Sequence, residues 1–292
     1  MTVHLLFPTH PLASTAVDPD FAEEAAAASA ADLSWSLVSF EALVHEGAPE
    51  RAVRRVPEGV GPCLYRGWML KPAAYGALAD ALAARGAPMM VRPDEYVYGH
   101  HLPGWFADFS EVTAESVWTT SAGPEAAREA LARLPEGAAL VKDYVKSAKH
   151  LWTQACFIPD VRDVDTAMAV IGALLAEQGD DLNGGLVLRS FRDYPAHGVT
   201  ARTGMPMIDE RRTFLWHGEP LRIVGDEHRL LQAPALRAAI ARLRSPFVSL
   251  DLARLADGSW EVIEVGDGQV SGLRDLDAGR FFSQLRLVVG AA

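Results

Sequence analysis

The stretch from Phe247 to Val265 leaves the chain least freedom. Two alternating apolar runs, Phe247–Ala256 and Ser259–Val265, flank Asp257-Gly258, and Asp-Gly between such runs is among the strongest short-range hairpin signals. A two-residue turn sets the register. Ala256 then faces Ser259, and Asp251 falls directly opposite Glu264. Directly opposed Cβ atoms lie about 4.5–5.5 Å apart, where like charges repel. The acids sit between Leu250 and Leu252 and between Ile263 and Val265, which places them in strand interiors rather than at a fraying edge. Three arrangements relieve the repulsion: a solvated face, an arginine from elsewhere, or a divalent cation taking the oxygen ligands that Mg²⁺ prefers. Asp267, in the Gly-rich run that follows, supplies either a third oxygen or an ordinary turn.

The basic residues point to an anion. Of 27 basic residues only four are lysines, and Lys142, Lys146 and Lys149 share one octapeptide. Lysine is a compact point charge on a flexible stem, suited to single phosphate oxygens. Ala138 to Tyr144 reads as a strand that ends on Lys142. Lys146 falls in the next turn with Ser147 and Ala148, small residues that let backbone N–H groups approach an anion. Lys149, beside His150 and Trp152, reads equally well as a solvated charge. No Walker-type loop or well-placed Gly-x-Gly-x-x-Gly occurs. Arg189 interrupts the apolar strand Leu186–Phe191, so it lies near an edge or turns towards a ligand. Arg211 and Arg212 open a hairpin (Arg211–Trp216, turn His217-Gly218, Glu219–Val224) and point to opposite faces. Arg66 ends a strand at the carboxyl edge, where open α/β sheets bind ligands.

At 292 residues the chain calls for two or three subdomains sharing a cleft. The first third alternates strands (Val3–Phe7, Trp35–Val38, Cys63–Arg66, Met89–Val91) with helices (Pro19–Ala31, Pro72–Arg85), the rhythm of a small parallel sheet. Val97–Gly123 reads as an aromatic connecting segment. Beyond it, Pro124–Leu134, Asp163–Gln178, Ala233–Leu243 and Leu276–Val288 read as helices and Leu151–Ile158 as a strand. The net charge of −11 argues against a general nucleic-acid or anionic-membrane binder. Cys63 and Cys156 exclude a disulfide scaffold by count and read as buried, inert thiols. The His100-His101 pair lacks further spaced ligands and reads as a core or surface pair. The N-terminal residues lack the pattern of a signal peptide and no run reaches membrane-spanning length, which together read as cytoplasmic.

Taken in order, a strand ending in Lys142, the strand Leu186–Phe191, the Glu-Arg-Arg-Thr-Phe hairpin and the acidic pair in Asp251…Trp-Glu-Val-Ile-Glu264 resemble the ATP-grasp superfamily. Glu264-Val-Gly-Asp-Gly-Gln-Val-Ser-Gly-Leu273 resembles in particular the ending of the clade named for two arginines and one lysine. The resemblance covers roughly residues 138–290. It implies a mixed α/β and α+β fold, with residues 1–120 a small Rossmann-like domain before an ATP-grasp module at 121–292. The first lobe would span about 121–185 and the second, with the metal-binding hairpin, 186–292. It further implies ATP and Mg²⁺ between the lobes. Lys142 and Lys146 would meet phosphates, and Arg189, Ser190 and Phe191 would line the adenine segment. Arg212 would approach the transferring phosphate, and Asp251, Glu264 and Asp267 would face the metal. Arg66 or Arg202 would hold a substrate carboxylate. Many members continue the acidic strand as Glu-x-Asn. Here that position is Gly266.

The activity so implied joins a small-molecule carboxylate to an amine or peptide through an acylphosphate, with Lys142 and Arg212 assisting the transfer. A kinase that stops at phosphoryl transfer, and a nucleotide-binding protein with a degenerate site, use the same residues.

Overall fold

The computed structural model describes residues 3–290. Near the N-terminus, β1 (His4–His10) pairs antiparallel at its end with β2 (Ala13–Val17). It pairs in parallel with β3 (Ser34–Val38) on one side and β4 (Cys63–Tyr65) on the other. Leu5, Leu6 and Phe7 are wholly buried, as expected of a central parallel strand covered on both faces. Met89–Val91 is not a fourth strand. Met89 makes a single parallel bridge to Cys63, and Pro93 then opens a helix.

The next sheet has the order β5–β8–β6–β7, all pairs antiparallel. These are β5 (Ser116–Trp118), β6 (Ala139–Asp143), β7 (Phe157–Ile158) and β8 (Leu186–Ser190). Helices Pro124–Arg133 and Val164–Gln178 share its core. Only two residues of the expected strand Leu151–Ile158 are extended; Lys149–Cys156 winds into 3₁₀ and π turns. An apolar run of that length does not distinguish strand from tight helix. A two-stranded ribbon follows, β9 (Ala196–Val199) with β10 (Pro206–Ile208). The last sheet runs β12–β11–β13–β14, formed by β11 (Glu210–Trp216), β12 (Glu219–Pro220), β13 (Phe247–Arg254) and β14 (Trp260–Asp267).

The segment expected to connect, Val97–Gly123, is largely helical. Helices Pro93–His100 and Leu102–Phe109 press Tyr98, Leu102, Trp105 and Phe109 onto Leu215, Val248, Leu250, Leu252 and Val265 of the last sheet. Aromatic density had suggested irregular chain, yet those aromatics form one face of a helix pair. The opposite face of the sheet carries Phe214, Trp216 and Phe247. It shares a core with the closing helix Ala278–Gly290 and with the N-terminal sheet.

The joint between the N-terminal sheet and the last one is Arg66, 1% exposed. Its Nε and Nη2 donate to both carboxylate oxygens of Glu24 at 2.9 and 2.8 Å. Its Nη1 donates to the carbonyls of Gly268 and Ser271. The guanidinium also lies 5.2 Å from the Phe281 ring centroid. Arg66 therefore does not wait at a sheet edge for a substrate carboxylate, because Glu24 already takes that place. It fastens the Gly-rich loop after β14 to β4. Removing one partner of a buried pair strands the other, at a cost of about 3–5 kcal/mol. Arg66→Met is expected to lose about that much stability in urea unfolding, and the double variant with Glu24→Gln to regain part of it.

Candidate active site

The second hairpin brings Asp251 opposite Glu264, as the turn signal implied, but through two departures that cancel. The turn has three residues, not two. Leu255 N–H bonds to the Ser259 carbonyl at 2.8 Å, and Gly258 takes the left-handed conformation at φ 84°, a common three-residue hairpin loop. Leu252, Ala253 and Arg254 accordingly face Val262, Glu261 and Trp260, one place out of the expected register. A β-bulge between Asp251 and Leu252 then restores it. The extra residue is Ile263, and the bulge re-aims Glu264 onto the Asp251 face.

Asp251 is 2% exposed. Arg212, directly opposite on β11, grips both its oxygens at 2.7 Å through Nε and Nη2. Arg274 adds a third bond at 3.1 Å and also meets Glu210. Its φ of 54° is left-handed, unusual for a non-glycine residue. Glu264 reaches the other way. Lys142, from the neighbouring sheet, donates Nζ to its Oε1 at 2.8 Å. Burial opposes ionisation of Glu264, but Lys142, Lys149 and Arg212 outweigh it and hold the carboxyl below its ordinary range. Of the three ways to relieve the repulsion, the described residues thus use cations from the protein itself.

A cavity of about 160 Å³ opens beside this cluster, between the two sheets. Lys142, Ser147, Lys149 and Glu264 line one part of it. Trp152, Ser190, Phe191 and Tyr194 line another, with Met205 and Pro206 from the ribbon. Phe191 packs edge-on against both Phe157 at 5.1 Å and Trp152 at 6.3 Å. Arg189 also lines the wall, but its Nη2 is committed to Thr113 Oγ1 at 2.8 Å and to the Val262 carbonyl at 3.1 Å. It ties the two sheets together while facing the cavity.

Other expected residues fall elsewhere. Lys146 is exposed and outside the cavity wall, its backbone N–H held by Asp143, whereas Lys149, also exposed, lines the cavity. Arg202 sits exposed at the ribbon turn. Asp267 faces away from the acidic pair. Strand alternation turns it, with its partner Val248, towards the helix pair at 93–109. It is wholly buried; Oδ1 accepts from Gln269, and Oδ2 has no partner. Sequence reasoning missed Arg274, Trp152 and the ribbon. None carries a motif, and only the fold brings them to the cleft.

The residues fit a cation that arrives on a phosphate better than a resident one. Among the described residues no three His, Cys, Asp or Glu side chains form a metal-holding group. Mg²⁺ commonly takes one or two carboxylates and completes its shell with waters and substrate phosphates, and Asp251 with Glu264 supplies that number. Gly266 is small for a local reason. A Cβ there would lie 2.7 Å from Ser249 Oγ and 2.8 Å from Ser271 Oγ, two hydroxyls bonded to each other at 2.7 Å. His100, 7% exposed, stacks on Tyr96 at 4.9 Å. Burial, then His101, keeps it neutral by lowering its pKa to about 3. Burial also raises the Cys156 and Cys63 thiols to about 11 and 12, which leaves both inert at neutral pH.

A family model for an ATP-grasp domain, family 3 of the clade named for two arginines and one lysine, matches residues 130–285. No curated protein matches the sequence. Among solved structures, D-cycloserine synthetase DcsG aligns with a TM-score of 0.62 at 16% identity over 99% of this chain and 100% of that one. D-alanine–D-alanine ligase from Bacillus anthracis gives 0.58 at 10% identity over 99% and 96%. The ATP-grasp ligase PsnB, complexed with minimal precursor, Mg and ADP, gives 0.52 at 13% over 99% and 97%. At such identities the likeness speaks for the fold.

Asp267, on the other face of β14, gives the fold a testable pH signature. Burial, partly offset by Gln269, raises its carboxyl to about 7, so the folded state holds a proton that the unfolded chain releases near pH 4. Stability is therefore expected to fall as pH rises from about 4 to 7. Asp267→Asn is expected to flatten that fall, with its largest gain in urea midpoint at pH 8 and little change at pH 4.

Proposed function

The chain belongs to the ATP-grasp superfamily, in family 3 of the clade named for two arginines and one lysine, and on that premise we propose an ATP- and Mg²⁺-dependent carboxylate–amine ligase. The observation that carries this reading is the opposed pair Asp251 and Glu264, held by Arg212, Arg274 and Lys142, with Glu264 and Lys142 lining a cavity that has an aromatic end. In this reading the base lies at the aromatic end of the cavity, beside Trp152, Phe191 and Tyr194, with backbone of Ser190 and Phe191 at its edge. The phosphates run towards Lys142, Lys149 and Arg212. Mg²⁺, arriving with the nucleotide, supplies charge neutralisation at the transferring phosphate. Asp251 and Glu264 are the residues to hold it, with their present cations released to phosphate oxygens.

The reaction then proceeds by positioning and electrostatics. A substrate carboxylate oxygen attacks the γ-phosphorus and ADP leaves, giving an acylphosphate. An amine attacks the acyl carbon, inorganic phosphate departs and the amine loses a proton, leaving an amide. Lys142 and Arg212 gather negative charge at the moment of transfer. A ligase of this kind is active on small-molecule or peptide carboxylates.

Hydroxylamine separates this chemistry from simple phosphoryl transfer, because it intercepts an activated acyl group. With a panel of amino acids and short peptides plus ATP and Mg²⁺, the protein is expected to form hydroxamate and ADP in equal amounts. Lys142→Ala and Glu264→Gln are each expected to lower that rate by at least about a hundredfold, the scale of removing one preorganised charge contact. A phosphorylated product with no hydroxamate would show a kinase instead.

A further inference from the structure

Asp143 is wholly buried and lines no part of the cleft cavity, yet it closes the strand that carries Lys142. Alternation along β6 sends Leu140 and Lys142 to the cavity and Ala139 and Val141 to the core under the two helices, and Asp143 follows the second set. Its carboxylate accepts from four N–H groups. Oδ1 takes the backbone N–H of Val145, at 2.6 Å, and that of Lys146. Oδ2 takes the backbone N–H and the side-chain Nδ2 of Asn183, at 3.0 and 3.2 Å. The Asp143 N–H in turn donates to the Lys146 carbonyl at 2.9 Å, and Gln178 donates to the same oxygen.

The loop Asn183-Gly184-Gly185 is shaped for this contact. Gly184 is left-handed at φ 72°, and a Cβ on it would run into the Tyr144 ring, while a Cβ on Gly185 would run into the Thr119 carbonyl. Glycine at both places lets the loop close over Tyr144 and bring Asn183 to Asp143. The element held in this way is the turn between Lys142 and Lys149. Asp143 takes the Val145 and Lys146 N–H groups, so the turn meets the cavity through Ser147 and Lys149. Lys149 is exposed, yet its charge reaches Glu264: burial opposes ionisation of that carboxyl, and Lys142 first and Lys149 after it hold it low.

On the placement of the triphosphate along these lysines, which is that of the ligase reading, we propose that Asp143 is a positioning residue for the nucleotide phosphates. It locks the 145–149 turn onto the Asn183-Gly184-Gly185 loop and thereby presents Lys149 beside Lys142. A lysine on a mobile turn would give up backbone as well as side-chain freedom on meeting a phosphate. A turn ordered beforehand by a buried carboxylate removes the first of these costs.

Displacement of a fluorescent nucleotide from the full-length protein, with Mg²⁺ present, gives affinities for a non-hydrolysable ATP analogue and for adenosine. Asp143→Asn keeps the Oδ1 acceptor but turns an NH₂ group towards the Asn183 donors. It is expected to weaken the ATP analogue about tenfold, the scale of one charge-assisted hydrogen bond, and to leave adenosine unchanged. Asn183→Ala, at a half-buried loop position, removes one donor and is expected to give the same phosphate-selective loss at about threefold; it decides the matter if Asp143→Asn does not fold. Lys149→Ala is expected to weaken the ATP analogue about tenfold in the parent and less than about twofold in Asp143→Asn, because the two act through one turn. The proposal alone is overturned if the parent binds the analogue and Asp143→Asn or Asn183→Ala binds it equally well, if adenosine weakens as much as the analogue, or if Lys149→Ala has the same effect in both backgrounds. A parent protein that binds no nucleotide overturns the ligase reading, and the proposal with it.

Discussion

Two carboxylates face each other across adjacent strands, and the centre of the molecule is arranged around that repulsion. Left alone in a strand interior, Asp251 and Glu264 would destabilise the hairpin that carries them. Arg212 answers Asp251 from the third strand of the same sheet with two bonds of 2.7 Å. Arg274 reinforces it from the loop beyond, and Lys142 answers Glu264 from a different sheet. The last bond matters most for the architecture, because it joins the two sheets at the place where the cavity opens. The acids thus hold the cleft together, and the cations that balance them are the ones a phosphate would attract.

A second buried pair sets where the N-terminal sheet stands. Arg66 and Glu24 neutralise each other, and the remaining Arg66 donors go to the carbonyls of the loop after β14. That loop also lends the Gly272 carbonyl to Arg212 at 2.8 Å. One arginine therefore connects the N-terminal sheet to the acidic pair through a few residues of backbone. Buried charge pairs of this kind add little net stability compared with an apolar replacement; their consequence here is geometric, since the bidentate grip fixes one orientation.

The hairpin shows how far local rules carry. Asp257-Gly258 located the turn, and the opposition of Asp251 and Glu264 held, although a longer turn and a bulge at Ile263 each shifted the register by one. Turn chemistry is local, whereas the bulge answers to which face Glu264 must occupy, a tertiary demand. Lys142 was legible because it ends an apolar strand. Lys149 was not, since a turn residue's direction depends on the 3₁₀ and π winding that follows. Arg66 was read from its position at a sheet edge, and its partner Glu24, 42 residues away, was invisible to that argument. Asp267 was misplaced for the simplest reason. It lies three residues beyond Glu264, and strand alternation sends such a residue to the other face.

The central claim is that Asp251 and Glu264 accept a divalent cation brought by the nucleotide. Calorimetric titration of a non-hydrolysable ATP analogue, with and without Mg²⁺, tests it most directly. The account predicts that Mg²⁺ tightens binding to the parent protein by at least about tenfold, and that Asp251→Asn with Glu264→Gln removes this gain while keeping Mg²⁺-free affinity. An equal Mg²⁺ effect in both proteins would contradict it.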